Sequence, residues 1–137
     1  MIRDATTEDA PAVRALVAGL ALRGPLDDAV VDDHLRRALA DDRSVLLVAE
    51  DGDAVIGYLL GVLAPMMVHG GLALVQELAV REDHRRTGAG AALVRHFEER
   101  AGTAGASVVS LATSRAGEFY AALGYVPTAT YYRRELH

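Results

Sequence analysis

Residues 72–101 read LALVQELAVREDHRRTGAGAALVRHFEERA, and this stretch decides the fold. Its first nine residues, Leu72–Val80, are mostly apolar and predict a buried strand. A polar loop over residues 81–87 leads into a glycine-containing segment. From residue 88 to residue 101, apolar residues recur at helical spacing. The stretch therefore predicts a strand, a loop and a helix in direct succession.

The loop from Arg85 to Gly90 is a candidate anion site. A strand that turns directly into a helix leaves backbone N–H groups unpaired at the positive end of the helix. Glycines at Gly88 and Gly90 allow phosphate oxygens to approach the backbone closely. Taken alone, two glycines beside two arginines also fit a mobile turn with solvated charges. The loop lacks the third glycine of a dinucleotide fingerprint and the lysine of an ATP-binding P-loop.

The residues before this unit predict a strand, two helices and a hairpin. The hairpin signal is Asp51-Gly52, between strands at residues 45–49 and 54–63. The other signals, in chain order, are strand residues Ile2 and Arg3, a helix cap at Thr6 or Thr7, a break at Gly24 and Pro25, and a second helix start at Asp27 or Asp28.

The residues after this unit predict a stop for its helix at Gly102 and then a strand at residues 108–112. A short helix follows at residues 116–123, and one or two final strands are edged by Pro127. Helices thus follow the first, fourth and fifth strands. We expect an α/β fold, with residues 1–137 as a single domain built on a mixed sheet of about six or seven strands with helices on both faces.

Composition excludes several classes of function. The net charge of -5 argues against a nucleic-acid partner. All fourteen cationic side chains are arginine, which excludes Schiff-base catalysis by lysine. Cysteine is absent, and the five histidines show no paired ligand spacing, so we expect no metal. With no disulfide framework and an acidic start at Asp4, Glu8 and Asp9, we expect a cytoplasmic protein without a signal peptide.

Residues 54–76 carry no charged side chain and are long enough to span a bilayer as a helix. Pro65, Gly70 and Gly71 interrupt the segment, and its β-branched and aromatic residues suit strands. Two buried strands joined by a turn explain it better, so we expect no membrane partner.

Arg85, Gly88 and Gly90, placed after Glu77-Leu78-Ala79-Val80, resemble the acyl-CoA signature of the GNAT superfamily of N-acyltransferases. The resemblance extends to the opening Ile2-Arg3 and to a closing motif at residues 116–125, so it covers nearly the whole chain. It implies acetyl-CoA as co-substrate, with the pyrophosphate held by the backbone of Arg85, Arg86, Thr87, Gly88, Ala89 and Gly90.

The resemblance also implies that the fourth and fifth strands splay apart around the cofactor. The pantetheine arm would lie along Leu78, Ala79 and Val80, bonded to strand backbone. A bulge in the fourth strand would aim an amide at the thioester carbonyl. Relatives frequently place an asparagine at the position of Thr113, and a threonine reaches less far toward the cofactor.

Tyr120 and Glu77 are the catalytic candidates that the resemblance implies. Tyr120 matches the tyrosine that protonates the departing thiolate of CoA, and Glu77 lies where many relatives remove the amine proton. The structural alternative for Tyr120 is an aromatic side chain that only packs on the sheet. The structural alternative for Glu77 is a strand residue held in a salt bridge. A carboxylate within an uncharged strand is costly unless it is satisfied or functional.

Two functions remain open. The first is acetyl transfer to a primary amine by direct attack on the thioester, with a small-molecule or protein acceptor that the acidic residues near Asp27 would attract if it is cationic. The second is a non-catalytic acyl-CoA-binding regulatory module. A longer acyl donor is a further alternative. Apolar carboxyl-terminal strands with Tyr131-Tyr132 favour a homodimer.

Overall fold

One mixed sheet organises the part of the chain that the computed structural model describes, residues 1–20, 24 and 26–137. Within these residues the sheet has five strands in chain order, β1 to β5, with the first four antiparallel and β5 parallel to β4. The elements are β1 (Ile2–Asp4), α1 (Ala10–Leu20), α2 (Asp28–Ala40), β2 (Ser44–Asp51), β3 (Ala54–Ala64), β4 (Leu72–Val80), α3 (Ala89–Thr103), β5 (Val108–Leu111) and α4 (Gly117–Ala122).

The sheet has fewer strands than the six or seven we expected, because residues 125–136 form none. Pro127 has no N–H to donate to a ladder, and residues 126–137 are all exposed. Their apolar side chains, among them Tyr131 and Tyr132, lie outside the core. An apolar, aromatic pattern is typical of a strand. A strand also needs a neighbouring strand to pair with, and the local pattern does not show whether one is present.

Helices cover both faces of the sheet, as predicted. Alternation along β2 sends Val45, Leu47 and Ala49 to one core and Leu46 and Val48 to the other. The first core is closed by α3, whose Leu93, Val94 and Phe97 are fully buried, and the second is closed by α1 and α2. The fold is therefore a three-layer α/β arrangement.

The helix starts agree with their sequence signals. Thr6 and Asp9 form a capping box ahead of α1, and Asp27 caps α2 with a 2.8 Å bond from the N–H of Ala29. Gly24, in the expected break between the two helices, has a φ of 96°. Pro25 lies outside the described residues.

The end of α3 corrects the prediction of a stop at Gly102. The helix continues to Thr103, and Gly105 adopts the left-handed φ of 92° instead. The N–H of Gly105 donates to Gly102 and that of Ala106 to Ala101, at 3.1 and 2.9 Å. This is a Schellman ending, which needs glycine after the helix rather than within it.

The uncharged segment at residues 54–76 forms β3, a turn and most of β4, as expected. Asp51 and Gly52 close the hairpin between β2 and β3, with Gly52 at a φ of 61°. Among the described residues, no helix has the length and apolar character to cross a membrane.

Candidate functional site

The sheet opens between β4 and β5. Their parallel pairing ends at Val75 and Leu111, whereas β4 continues to Val80 and stays paired with β3 along that length. The last part of β4 thus has a strand on one side only. A polypeptide-like ligand can occupy the other side and bond to its backbone.

Backbone direction identifies the groups that face this opening. The N–H of Arg81 donates to the carbonyl of Ile56 on β3, at 2.7 Å. Because bonding direction alternates along a strand, Ala79 also faces β3, and Leu78 and Val80 face the opening. Of the three β4 residues predicted to contact cofactor, Leu78 and Val80 therefore have the suitable orientation, and Ala79 is buried beneath them.

A bulge interrupts β4 at the start of the open segment. Glu77 pairs with Leu60 and Val75 pairs with Gly61, which leaves Gln76 without a partner on β3. Both Gln76 and Glu77 are exposed. The irregularity lies in the strand where the family resemblance implied a bulge, and such an extra residue re-aims the groups beside it.

The loop from Arg85 to Gly90 presents its backbone amides outward. Arg86 and Gly88 have left-handed φ values of 65° and 90°, and Arg86 alone among the described non-glycine residues has a positive φ. The N–H groups of residues 86–91 donate to no other group in the described part of the chain. They lie just before and within the first turn of α3, a helix of 15 residues that begins at Ala89, so the arrangement suits an anion.

Two contacts fix this loop to its surroundings. The hydroxyl of Thr87 donates to the carbonyl of His84 at 2.5 Å, and Nε of Arg85 donates to the carbonyl of Val80 at 3.3 Å. The second contact ties the loop to the end of β4. Both arginines are exposed, but the Arg85 side chain is held by this bond, whereas Arg86 has no such bond in the described structure.

Gly90 allows α4 to lie against the loop. A Cβ at Gly90 would be 3.3 Å from Cζ of Phe119 and 3.7 Å from Cγ2 of Val80. Any larger side chain would push the aromatic ring away. This close approach brings the end of β4, the start of α3 and the residue before Tyr120 together.

Tyr120 is held by aromatic packing rather than by polar contacts. Its ring meets those of Phe119 and Tyr125 edge to face, with centroids 4.9 and 5.7 Å apart. The side chain is buried, which raises the pKa of the phenol, yet no described residue bonds its hydroxyl and the oxygen is not sealed in the interior. A protonated hydroxyl thus remains free to donate to a ligand.

Glu77 has a partner that the sequence reading missed. The hydroxyl of Tyr58 donates to Oε1 of Glu77 at 2.7 Å, and Tyr58 is only 1% exposed. Burial and then the Glu77 charge raise the pKa of Tyr58, so it stays a donor. The available signal was a tyrosine inside a buried strand, whose hydroxyl requires a polar partner.

Glu77 and Tyr120 approach the opening from different faces of the sheet. Tyr58, which holds Glu77, belongs to the core under α1 and α2, whereas Tyr120 belongs to the core under α3. Leu78 packs on the same core as Tyr120. The carboxylate and the phenol thus belong to opposite faces of the sheet that contains the open edge.

A depression of about 350 Å³ adjoins Glu77 on the α2 side. It is lined by His34, Arg37, Ala38, Asp41, Ser44, Leu60, Gln76 and Glu77. A second depression, of about 400 Å³, lies between β2 and α3 and contains none of the predicted site residues.

Thr113 follows β5 and turns toward its own chain. Its Oγ1 accepts the N–H of Ala116 at 2.9 Å and that of Arg115 at 3.4 Å. The hydroxyl thus stabilises the approach to α4, and its proton remains available to another acceptor.

Three solved structures are similar to this chain along its length. A candidate acetyltransferase from Agrobacterium tumefaciens str. C58 aligns with a TM-score of 0.88 and 22% identity, covering 98% of this chain and 99% of that chain. Glucosamine-6-phosphate N-acetyltransferase from Arabidopsis thaliana gives 0.87 and 17%, with 100% and 98% covered. A transcriptional regulator from Bacillus halodurans C-125 gives 0.86 and 23%, with 100% and 98% covered. These likenesses establish the fold.

Sequence comparison with protein families matches residues 42–127 to the acetyltransferase (GNAT) domain. Comparison with curated proteins gives no significant match. The matched segment includes β4 with its open edge, the Arg85 to Gly90 loop and Tyr120, which are also the parts joined in the structure. The family match, the fold and the geometry of the site agree, and the chain belongs to the GNAT acetyltransferase family.

Proposed function

We propose that the protein transfers an acetyl group from acetyl-CoA to an amine. The observation that carries this proposal is the continuity between the open edge of β4 and the outward amides of the loop. The loop holds the pyrophosphate through the N–H groups of residues 86–91, with Arg86 adding charge. The pantetheine arm lies along β4 and bonds to the backbone of Leu78 and Val80.

The reaction is direct attack of a neutral amine on the thioester carbonyl. Glu77 accepts the proton that the ammonium must lose and passes it to solvent, the new C–N bond forms, the C–S bond breaks, and the nitrogen loses a second proton that balances the one given to sulfur. Tyr120 donates its proton to the leaving thiolate, since its hydroxyl is free and its raised pKa keeps it protonated at neutral pH. An amide beside the Gln76 bulge stabilises the oxyanion. The products are an N-acetyl amine and CoA.

The acceptor reaches Glu77 from the depression beside α2. Glu77 and Asp41 give this depression two carboxylates, of which Asp41 is paired with Arg43 at 3.8 Å, against one guanidinium from Arg37. Arg37 is itself paired with Asp33 at 3.0 Å. The balance of charge favours a cationic amine, consistent with an acceptor that arrives as an ammonium.

Replacing Tyr120 by Phe tests the chemical role. Removing the hydroxyl should lower turnover by about 10- to 100-fold and leave acetyl-CoA affinity within about twofold, because the proton is transferred only in the transition state. Thiol release measured across polyamines, amino acids, aminoglycosides and peptide amino termini supplies the assay. Unchanged turnover removes Tyr120 from the mechanism.

A non-catalytic acyl-CoA-binding module is the second candidate function. We consider it because one similar solved structure is described as a transcriptional regulator. Calorimetry with acetyl-CoA separates the two functions when combined with the thiol assay. Binding without thiol release from any acceptor class supports the module. Calorimetry with longer acyl-CoA esters reports the preferred donor.

A further inference from the structure

The imidazole of His84 joins two carboxylates from separate parts of the chain. Its Nε2 lies 2.9 Å from Oδ2 of Asp51, and its Nδ1 lies 2.9 Å from Oδ1 of Asp83. Asp51 closes the β2–β3 hairpin, and Asp83 belongs to a short 3-10 turn at Glu82–His84, just before the loop. His84 therefore fastens the start of the loop to the hairpin.

This bridge requires a charged imidazole. A carboxylate only accepts hydrogen bonds, and both ring nitrogens donate only in the imidazolium form. The charged groups facing the ring are Asp51, Asp83 and Arg81, whose guanidinium binds Asp83 at 2.7 and 3.0 Å and lies 3.4 Å from Nδ1. Two carboxylates against one guanidinium leave a negative charge that the imidazolium balances.

The same residue supports the loop through its backbone. The carbonyl of His84 accepts the hydroxyl of Thr87 at 2.5 Å, and Arg85 follows it directly. Because the imidazole holds His84 to the hairpin, loss of the contact with Asp51 frees the His84 backbone to shift, and such a shift would move the acceptor of Thr87 and the start of the amide-presenting segment together. This coupling extends from the hairpin to the residues whose N–H groups face outward.

We propose that His84 is a positioning residue for the phosphate-binding loop, and that its protonated bridge between Asp51 and Asp83 sets the affinity for CoA. The proposal rests on the proposed function of the loop as a CoA pyrophosphate site. The bridge is complete while the ring is charged, and one of its two hydrogen bonds is lost when the ring becomes neutral. CoA affinity should therefore decrease as pH rises through the titration of His84.

The expected pH range follows from the environment of the ring. The hydrogen bond to Asp83, followed by the one to Asp51, raises the pKa of His84 above its ordinary value of 6.5. A raised pKa in the organised loop means that the bridge is complete below the ordinary value of 6.5 and is lost as the pH rises through the raised value. The phosphates of CoA also change their protonation with pH. Their contribution to the pH dependence of binding must be separated from that of His84.

The experiment measures the Kd of CoA by calorimetry from roughly pH 6 to pH 9 for the wild type, His84→Asn, Asp51→Asn and the control His137→Asn. Dividing variant by wild-type Kd at each pH cancels the titration of CoA itself. We expect both bridge variants to bind about 3- to 10-fold more weakly near pH 6, and we expect the ratio to fall near pH 9 to a smaller value that reflects the one hydrogen bond kept by the neutral ring. His137, exposed at the chain end, should follow the wild type throughout.

Two outcomes overturn the proposal while leaving the CoA site intact. A ratio of one at every pH means that His84 does not position the loop. A constant ratio above one means that the side chain acts by packing, without a role for its charge. If the wild type binds no CoA at any pH, the proposed function fails and this inference fails with it. Thermal unfolding of each variant confirms that the comparison is made between folded proteins.

Discussion

Tyr58 and Glu77 lie on adjacent strands, and the buried hydroxyl of the tyrosine donates to Oε1 of the carboxylate at 2.7 Å. The bond engages one carboxylate oxygen and leaves Oε2 for an incoming ammonium. It also fixes the rotamer of a side chain that is otherwise exposed on the strand. A tyrosine in the core thus positions the base in the proposed reaction.

Tyr58→Phe should lower turnover about 3- to 10-fold with little change in acetyl-CoA affinity, because only the orientation of Glu77 is disturbed. Stability should fall by about 1 kcal/mol for the lost hydrogen bond. The matched test adds the same change to Glu77→Gln, where no base remains to be oriented. Turnover of the double variant should equal that of Glu77→Gln, and a further decrease of similar size would show that Tyr58 acts independently.

Gly88→Ala should destabilise the protein by about 1–2 kcal/mol and weaken CoA binding, since its φ of 90° is costly for a residue with a Cβ. No atom lies within 4 Å of that Cβ, so the cost is conformational. Gly102→Ala, later in the same helix and equally uncrowded, is the control and should stabilise by up to about 1 kcal/mol without affecting CoA. Equal effects of the two substitutions on Kd would contradict a role for the loop conformation.

Gly61→Ala should cost about 1–3 kcal/mol, because a Cβ there would overlap the fully buried ring of Phe97 and lie 3.1 Å from the carbonyl of Leu74. Because the ring is fully buried in the core, the overlap must be relieved by shifting the ring, β3 or α3 against packed neighbours. Gly19→Ala on α1, where nothing lies within 4 Å, provides the comparison. Urea unfolding measures the stability of both variants. If Gly61→Ala lost no stability, the core under α3 would accommodate an added methyl group by small shifts.

Asp9→Asn should reduce stability at neutral pH by about 1–3 kcal/mol and flatten its decrease in acid. Arg3 contacts both carboxylate oxygens of Asp9 at 2.8 Å and, with the N–H of Thr6, holds the pKa of Asp9 below its ordinary 3.8. A lowered pKa contributes stability above the unfolded value, and this contribution is lost as pH falls through the folded value. Urea unfolding near neutral and near roughly pH 3 checks the sign. If the variant and the wild type lost the same amount of stability between neutral and acid pH, the predicted contribution of Asp9 would be contradicted.

The sequence predicted the central unit well because its signals are local. Strand β4 was placed at Leu72–Val80, and the structure has the same limits. Its apolar run begins after Gly71, and the charged segment that follows Val80 ends it. The loop and α3 follow from glycine and helical spacing, which also act over a few residues.

The remaining features depend on neighbours distant in the chain. The number of strands depends on whether residues 125–136 find a partner, and the bulge at Gln76 depends on the register against Leu60 and Gly61. The bond from Tyr58 to Glu77 joins residues 19 positions apart. Composition and periodicity contain no information on which buried hydroxyl reaches which carboxylate, so these features required the structure.

In the proposed function, the half-paired end of β4 would make folding and ligand supply interdependent. Backbone groups at Leu78 and Val80 that lack a strand partner would acquire one only when pantetheine occupies the opening. By mass action, a ligand that binds only the folded chain adds about 2.7 kcal/mol of stability at 100 times its Kd. The lifetime of the folded enzyme would then follow the acetyl-CoA level of its surroundings, so that depletion of the donor would reduce the amount of enzyme as well as its rate.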